Sequence, residues 1–344
     1  MGHPFRIKEI AVQAGLSEAT VDRVLNHRGM VRAATAAQVE QAIADLERQR
    51  SQLQLGGRTF MVDVVVQAPE RFSGAVRAAL EEELPSLRPA VIRSRFHLRE
   101  TAQPADLVAV LDRIADRGSH GVILKAPDVP EIVAAALRLT RAGIPVVTLV
   151  TDLPDSERVA YVGVDNRAAG ATAAYLLGLT LGREPGSVLV SVSSSYFRGE
   201  EEREMGFRSA MRVMHPDRAL VEISETDGLD EALRGRVGAA LARHPDIVAV
   251  YSIGGGNVAT VEAFDSAARE CLAFVAHDLD QDNRRLLQER RITAVLHHDL
   301  RQDLRRACQL IMQAQRALPG PIRSVPSAVH VVTPFNVPVP APAD

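Results

Sequence analysis

Apolar positions along the chain keep two different periods, and the change of period divides it. Ile7, Ile10, Ala11 and Ala14 fall at i, i+3, i+4 and i+7, one face of a helix. Gly15-Leu16-Ser17 then breaks that helix, with Gly at the left-handed C-terminal position and Ser17 as the next N-cap. Val21, Val24 and Leu25 form a second short apolar face, and Val39, Ala42, Ile43 and Leu46 a third, with a Gly29-containing loop at 27–31 between them. Three short helices in this span predict a small helical unit. At Phe60 the period changes: Phe60-Met61-Val62-Asp63-Val64-Val65-Val66 is nearly continuous and β-branched, as in a strand covered on both faces. Further apolar runs predict strands at Gly121–Leu124, Pro145–Leu149, Ser187–Ser191, Ile247–Ser252, Leu272–His277 and Ala294–His297. Amphipathic helices are predicted between them, among them Ala105–Arg117, Ala168–Leu181, Glu202–Met214 and Leu229–Arg243.

Repeated strand–helix units predict doubly wound parallel sheets with helices on both faces. The region is too long for one ordinary sheet, so two such subdomains facing each other across a cleft are expected. The expected division is a helical unit at 1–48, a polar linker with a Gly pair at 49–59, and a larger strand–helix region at 60–333. Within that region, one subdomain takes 60–164 plus 298–323 and the other 165–297 plus 324–333, and 334–344 forms a proline-rich tail.

Composition narrows the classes. The hydrophobic share of 46% is that of a globular protein, and no segment has the roughly 18–20 uncharged apolar residues of a membrane span. Residues 1–6 carry no apolar core or cleavage site of a signal peptide, so a cytoplasmic chain is expected. Cys271 and Cys308 have no Cys-x-x-Cys or Cys/His companions, which predicts reduced core thiols and no metal or other cofactor. The net charge of −3 argues against a chain that coats nucleic acid, leaving a local patch as the only route to DNA. Lys8 and Lys125 are the only lysines among the 40 basic residues.

In a helix-turn-helix the second helix enters the major groove while its apolar side packs on the first. Ser17, Glu18, Ala19, Thr20, Asp22, Arg23 and Asn26 are the cap and outward positions of that helix. Arg23 has the two donors that match guanine O6 and N7, and Glu18 can accept from cytosine N4. Thr20, Asn26 and the N–H groups freed at the Ser17 cap suit phosphates. Residues 1–57 hold seven Arg/Lys against six Asp/Glu, a small excess that favours a homodimer on a pseudo-palindromic operator over a lone domain.

The run Ala14-Gly15-Leu16-Ser17-x-x-Thr20-Val21-x-Arg23-Val24-Leu25-Asn26 resembles the headpiece of the lactose/galactose-repressor (LacI/GalR) family. The strand–helix region resembles the type I periplasmic-binding-protein-like sensor of the same family, so the likeness spans nearly the whole chain. It implies an all-α helix-turn-helix headpiece joined to an α/β sensor of two doubly wound parallel-sheet subdomains. It also implies a homodimeric repressor governed by a small polar effector. Asp22 stands where the family usually has Ser, and Arg32 where it usually has a helix cap. The aromatic-x-Pro-Asn hinge signature is replaced by Arg48-Gln49-Arg50-Ser51, with Leu53 or Leu55 left to act as the minor-groove wedge.

Ligands of open parallel sheets bind beyond the carboxyl ends of the strands. Gln67 and Phe72 follow the first strand, Asp152 follows the strand ending at Leu149, and Asn257, Asp278 and His298 follow later ones. Such carboxylates, amides and an aromatic face are the groups that hold a sugar or polyol. By the resemblance, Arg203 is similar to the ligand-contacting arginine of sugar-binding members, Asp278 to their acidic cleft residue, Asn257 lies near their usual polar position, and His298 stands where they carry an amide. Two other readings find less support. Gly254-Gly255-Gly256 lacks nucleotide-loop spacing, and Ser193-Ser194-Ser195 with His277, His297 or His298 lacks the Gly-x-Ser-x-Gly elbow of a hydrolase, so no catalytic residues are expected. A periplasmic solute-binding protein would need a signal peptide and no helix-turn-helix.

Overall fold

The computed structural model describes residues 4–28, 31–224, 226 and 228–338. Gly29 in the first expected loop and residues 339–344 of the expected tail lie outside the described residues; 334–338 lie against the second lobe through Val337.

Three helices open the chain: α1 (Ile7–Ala14), α2 (Glu18–Leu25) and α3 (Ala33–Leu55). Gly15 ends α1 at φ +64°, and the Ser17 hydroxyl caps α2 by accepting from the Thr20 N–H at 3.2 Å. Ile10, Ala11, Ala14, Val21, Val39 and Ala42 form their common core. The Gln38 amide donates to Ala14 O at 2.7 Å and ties α3 to the α1–α2 turn. The helix α3 does not stop at the expected linker. Its 23 residues run to Leu55, and Gly57 at φ +76° turns the chain into the first strand.

The rest forms two lobes. The first holds β1 (Thr59–Gln67), α4 (Glu70–Glu83), β2 (Val91–Arg99), α5 (Pro104–Arg117), β3 (Gly121–Lys125), α6 (Pro130–Arg141), β4 (Val146–Leu149) and β5 (Ala160–Val162). The second holds α7 (Asn166–Leu181), β6 (Ser187–Ser191), α8 (Arg198–Met214), β7 (Leu220–Ile223), α9 (Asp230–Arg243), β8 (Ile247–Ser252), α10 (Asn257–Ser266), β9 (Ala273–His277), α11 (Gln281–Gln288) and β10 (Ala294–His297). The chain then returns to the first lobe as α12 (Leu300–Ala314) and ends on the second as β11 (His330–Val332).

The sheet orders are β2-β1-β3-β4-β5 and β11-β10-β9-β8-β6-β7. All pairings are parallel except β10 with β11, which is antiparallel and was not foreseen. Each sheet is covered on both faces: α4 and α12 oppose α5 and α6 on the first, and α9 to α11 oppose α7 and α8 on the second. This double cover is why the central strands read as unbroken apolar runs. The lobes are joined at neighbouring crossings, where Val164 bridges Ser327 and the Ser327 N–H donates to Gly163 O at 2.8 Å. Among the described residues no helix is long and apolar enough to cross a membrane.

Candidate functional site

Two separate surfaces collect the expected residues. On α2, Glu18, Ala19, Arg23 and Asn26 are exposed together with the Ser17 cap, while Thr20 and Asp22 are half-buried. Val21 is fully buried and turns this polar face outward. In the isolated chain these groups engage one another: Arg23 Nε donates to Ala19 O at 3.2 Å, and Asn26 Nδ2 donates to Asp22 Oδ1 at 2.7 Å. Asp22 also faces Arg28 at 3.8 Å, so its carboxylate is partly offset by the chain's own groups. The two wedge positions part company. Leu53 is 83% exposed, whereas Leu55 is buried in the core of the first lobe with Phe60 and Val62, and cannot serve as a wedge without leaving it.

The second surface is the cleft between the lobes, at the carboxyl ends of the central strands. It encloses a cavity of about 70 Å³. Of the cleft candidates, Gln67, Phe72, Arg203 and Asp278 line it. Arg203 owes its position to close helix packing. A Cβ on Gly170 would come within 1.9 Å of Arg203 O, and one on Gly206 within 2.1 Å of Arg167 O, so only glycine lets α7 and α8 approach this closely. The approach sets the buried Arg203 guanidinium against Asn166 Oδ1, to which its Nε donates at 2.8 Å, and Ile253 O, to which Nη1 donates at 3.4 Å.

Behind Asp278 stands a buried charge relay. His298 Nε2 lies 3.6 Å from Asp278 Oδ1, and its Nδ1 pairs with Asp303 Oδ2 at 2.5 Å. Burial alone would lower this imidazole, but the two carboxylates raise it to about 9, so it is cationic at neutral pH. Burial would raise Asp278, yet His298 and Arg203 hold it well below the usual carboxylate range. His277 behaves in the opposite way: burial and then Arg203 keep it neutral, its Nε2 sharing a 2.8 Å hydrogen bond with Tyr251 Oη.

Three expected effector residues are not on the cavity. Asp152 pairs with Arg158 and accepts from the Thr148 hydroxyl at 2.7 Å and the Leu153 N–H at 2.8 Å, which turns it back into the loop after β4. Asn257 donates to Asn283 Oδ1 at 2.7 Å and stands behind the wall; Asn283 lines the cavity in its stead and donates to His277 O and Asp278 O. His298 is the support of Asp278 described above.

Other lining residues were not foreseen. Lys125 ends β3 and was within reach of the strand-end rule. Phe197 and Glu200 belong to the entry and first turn of α8, which begins four residues before the expected start. Glu200 accepts from the Ser193 N–H at 2.8 Å and hydroxyl at 2.6 Å. Asp280 caps α11 and reaches Arg71 across the cleft. Among the described residues no group of three His, Cys, Asp or Glu is placed to hold a metal ion.

A cleft with charged and polar side chains between two lobes joined by neighbouring chain crossings is the arrangement of a two-lobed binding protein, and residues 63–317 match the family described as periplasmic binding protein domain. The chain belongs to that family. Residues 6–50 match bacterial regulatory proteins of the lacI family, so the whole is a lacI-family chain with a periplasmic-binding-protein-like sensor. The first is described as a binding domain and the second as regulatory proteins.

Among solved structures, the chain is similar to GanP, a glucose-galactose binding protein from Geobacillus stearothermophilus, at TM-score 0.73 and 21% identity over 82% of this chain and 100% of that one. It is similar also to an ABC transporter solute binding protein from Agrobacterium vitis bound with alpha-D-tagatopyranose, at TM-score 0.73 and 20% identity over 82% and 97% of the two chains. A proposed LacI transcriptional regulator from Bacteroides fragilis matches at TM-score 0.69 and 17% identity over 81% and 98%. These likenesses establish the fold. No curated protein matches the chain.

Proposed function

We propose that the chain is a cytoplasmic, homodimeric transcriptional repressor that binds a pseudo-palindromic operator through α2 and releases or tightens its hold when a small sugar or polyol enters the cleft. The observation that carries this reading is α3, which runs unbroken from the helix-turn-helix core to Leu55, seated in the core of the first lobe. A change in lobe geometry is thereby handed to the reading helix without a flexible joint. The sugar-binding neighbours and the polar cleft walls support the effector class. We assign base contacts to Arg23 and Glu18, phosphate contacts to Ser17, Thr20 and Asn26, and effector contacts to Gln67, Phe72, Arg203 and Asp278.

A ligand shifts DNA affinity only through unequal affinity for the two lobe arrangements. The test is fluorescence anisotropy of a labelled duplex from upstream of the chain's own gene, titrated with protein in the presence and absence of simple sugars. Salt-dependent binding that one sugar changes by tenfold or more is expected. Binding indifferent to every sugar would remove the effector half of the proposal, and no preference over random duplex would remove the DNA half.

A further inference from the structure

We infer that the effector carries an anionic group, a carboxylate or a phosphate, seated on Lys125 between the faces of Phe72 and Phe197. This deepens the proposed sugar-responsive reading and rests on it. Lys125 Nζ donates to Gln67 O at 3.1 Å, and no other hydrogen bond to it is made among the described residues. An ammonium has three donors, so two remain for the cavity. The ring centroids of Phe197 and Phe72 lie 4.3 and 5.5 Å from Nζ, one ring from each lobe, which keeps water from the flanks of the charge.

The other charges on the cavity wall are differently placed. Arg71 has Asp280, Asp278 has His298, and the Glu200 carboxylate takes the N–H and hydroxyl of Ser193. Glu100 sits exposed at the rim and accepts from the Glu70 N–H. Lys125 and Arg203 face the cavity with no carboxylate within ion-pair distance among the described residues, and Glu200 and Asp278 act on Lys125 only from farther off. A ligand anion takes the two open donors of Lys125, and its hydroxyls meet Gln67 Oε1, a buried acceptor without a donor among the described residues. The burial that lowers Lys125 to about 8 leaves it charged at neutral pH, and a ligand anion would raise it again. Lys125 is the single lysine of the sensor, and it supplies a compact point charge with three rotatable donors.

The experiment is isothermal titration of the full chain with D-glucose, D-galactose and D-arabinose, each beside its aldonate and its terminal phosphate ester, repeated on Lys125→Met and Lys125→Arg. At least one acid or ester is expected to bind tenfold or more tightly than its neutral parent, with the carboxylate and phosphate arms telling the two anions apart. Lys125→Met should erase that preference and Lys125→Arg retain part of it. Circular dichroism melting of each variant separates loss of binding from loss of fold; should Lys125→Met fail to fold, the preference of the parent chain and its partial retention in Lys125→Arg decide. Binding of neutral sugars alone, or a preference untouched in Lys125→Met, overturns the inference while the sugar-responsive reading stands. Binding of no member of the panel overturns both.

Discussion

Arg71 of the first lobe meets Asp280 of the second at 3.2 Å, and its Nη2 donates to Gly228 O at 2.7 Å, so one side chain spans the cleft. Room for it comes from Gly255, where a Cβ would stand 2.1 Å from Nη2 and where φ is +100°. Burial raises Asp280 to about 6, outweighing the Asn283 N–H and Arg71, which lower it.

The sign of the resulting pH effect follows from linkage. Between the ordinary value of 3.8 and about 6 the folded chain holds this proton more tightly than the unfolded chain, so the group's contribution to stability declines as pH rises through that window. The full span amounts to about 3 kcal/mol at most. Asp280→Asn keeps the helix cap and removes the titration. Urea unfolding of both proteins at pH 4 and pH 7 should show the variant gaining relative to the parent as pH rises; parallel curves would show that Asp280 titrates normally.

Arg203→Met removes a guanidinium that lines the cavity while keeping most of its apolar stem. The expected result is loss of the effector response with operator affinity unchanged within about twofold. Anisotropy titrations with and without the bound sugar read both quantities. An intact response would place the effector elsewhere.

Arg23→Ala should lower base preference at one position of each half-site by about 1–3 kcal/mol, with little effect on non-specific duplex. Competition among operators mutated one base pair at a time is the measurement. A uniform loss across all sequences would assign Arg23 to the phosphates instead.

Leu53 and Leu55 should separate cleanly. Leu55→Ala opens the core of the first lobe at a cost of about 2–4 kcal/mol and weakens the coupling of sugar to DNA. Leu53→Gln, on an exposed face, should leave the urea midpoint in place and weaken operator binding. If Leu53→Gln binds DNA as the parent does, α3 contributes no wedge.

The strands that the apolar pattern reveals are the central ones, where β1, β3, β6, β8 and β9 are covered on both faces and read as continuous runs. The strands it does not reveal are edges: β2, β7 and β11 went unrecognised, and β5 shows only as an extended run ending at Gly163. β2 spells Val-Ile-Arg-Ser-Arg-Phe-His-Leu-Arg, charged as an exposed edge must be; β5 and β11 have three residues each, and β7 carries Glu222. A similar limit governs the cleft. Strand ends say which residues come near, but not which way they turn. Asp152 is withdrawn by Arg158, six residues on, and Asn257 by Asn283, 26 residues on, through pairings that no spacing announces.

The length of α3 has a mechanical meaning. At 1.5 Å per residue its 23 residues make a rod of about 35 Å, anchored at Leu55 and free of breaks up to the reading unit. A tilt of about 10° at the anchored end carries the far end through about 6 Å, nearly twice the 3.4 Å step between successive phosphates of one strand along the duplex axis. On the proposed function, the helix would act as a gear ratio: a small lobe rotation would carry the reading helix out of register with its half-site.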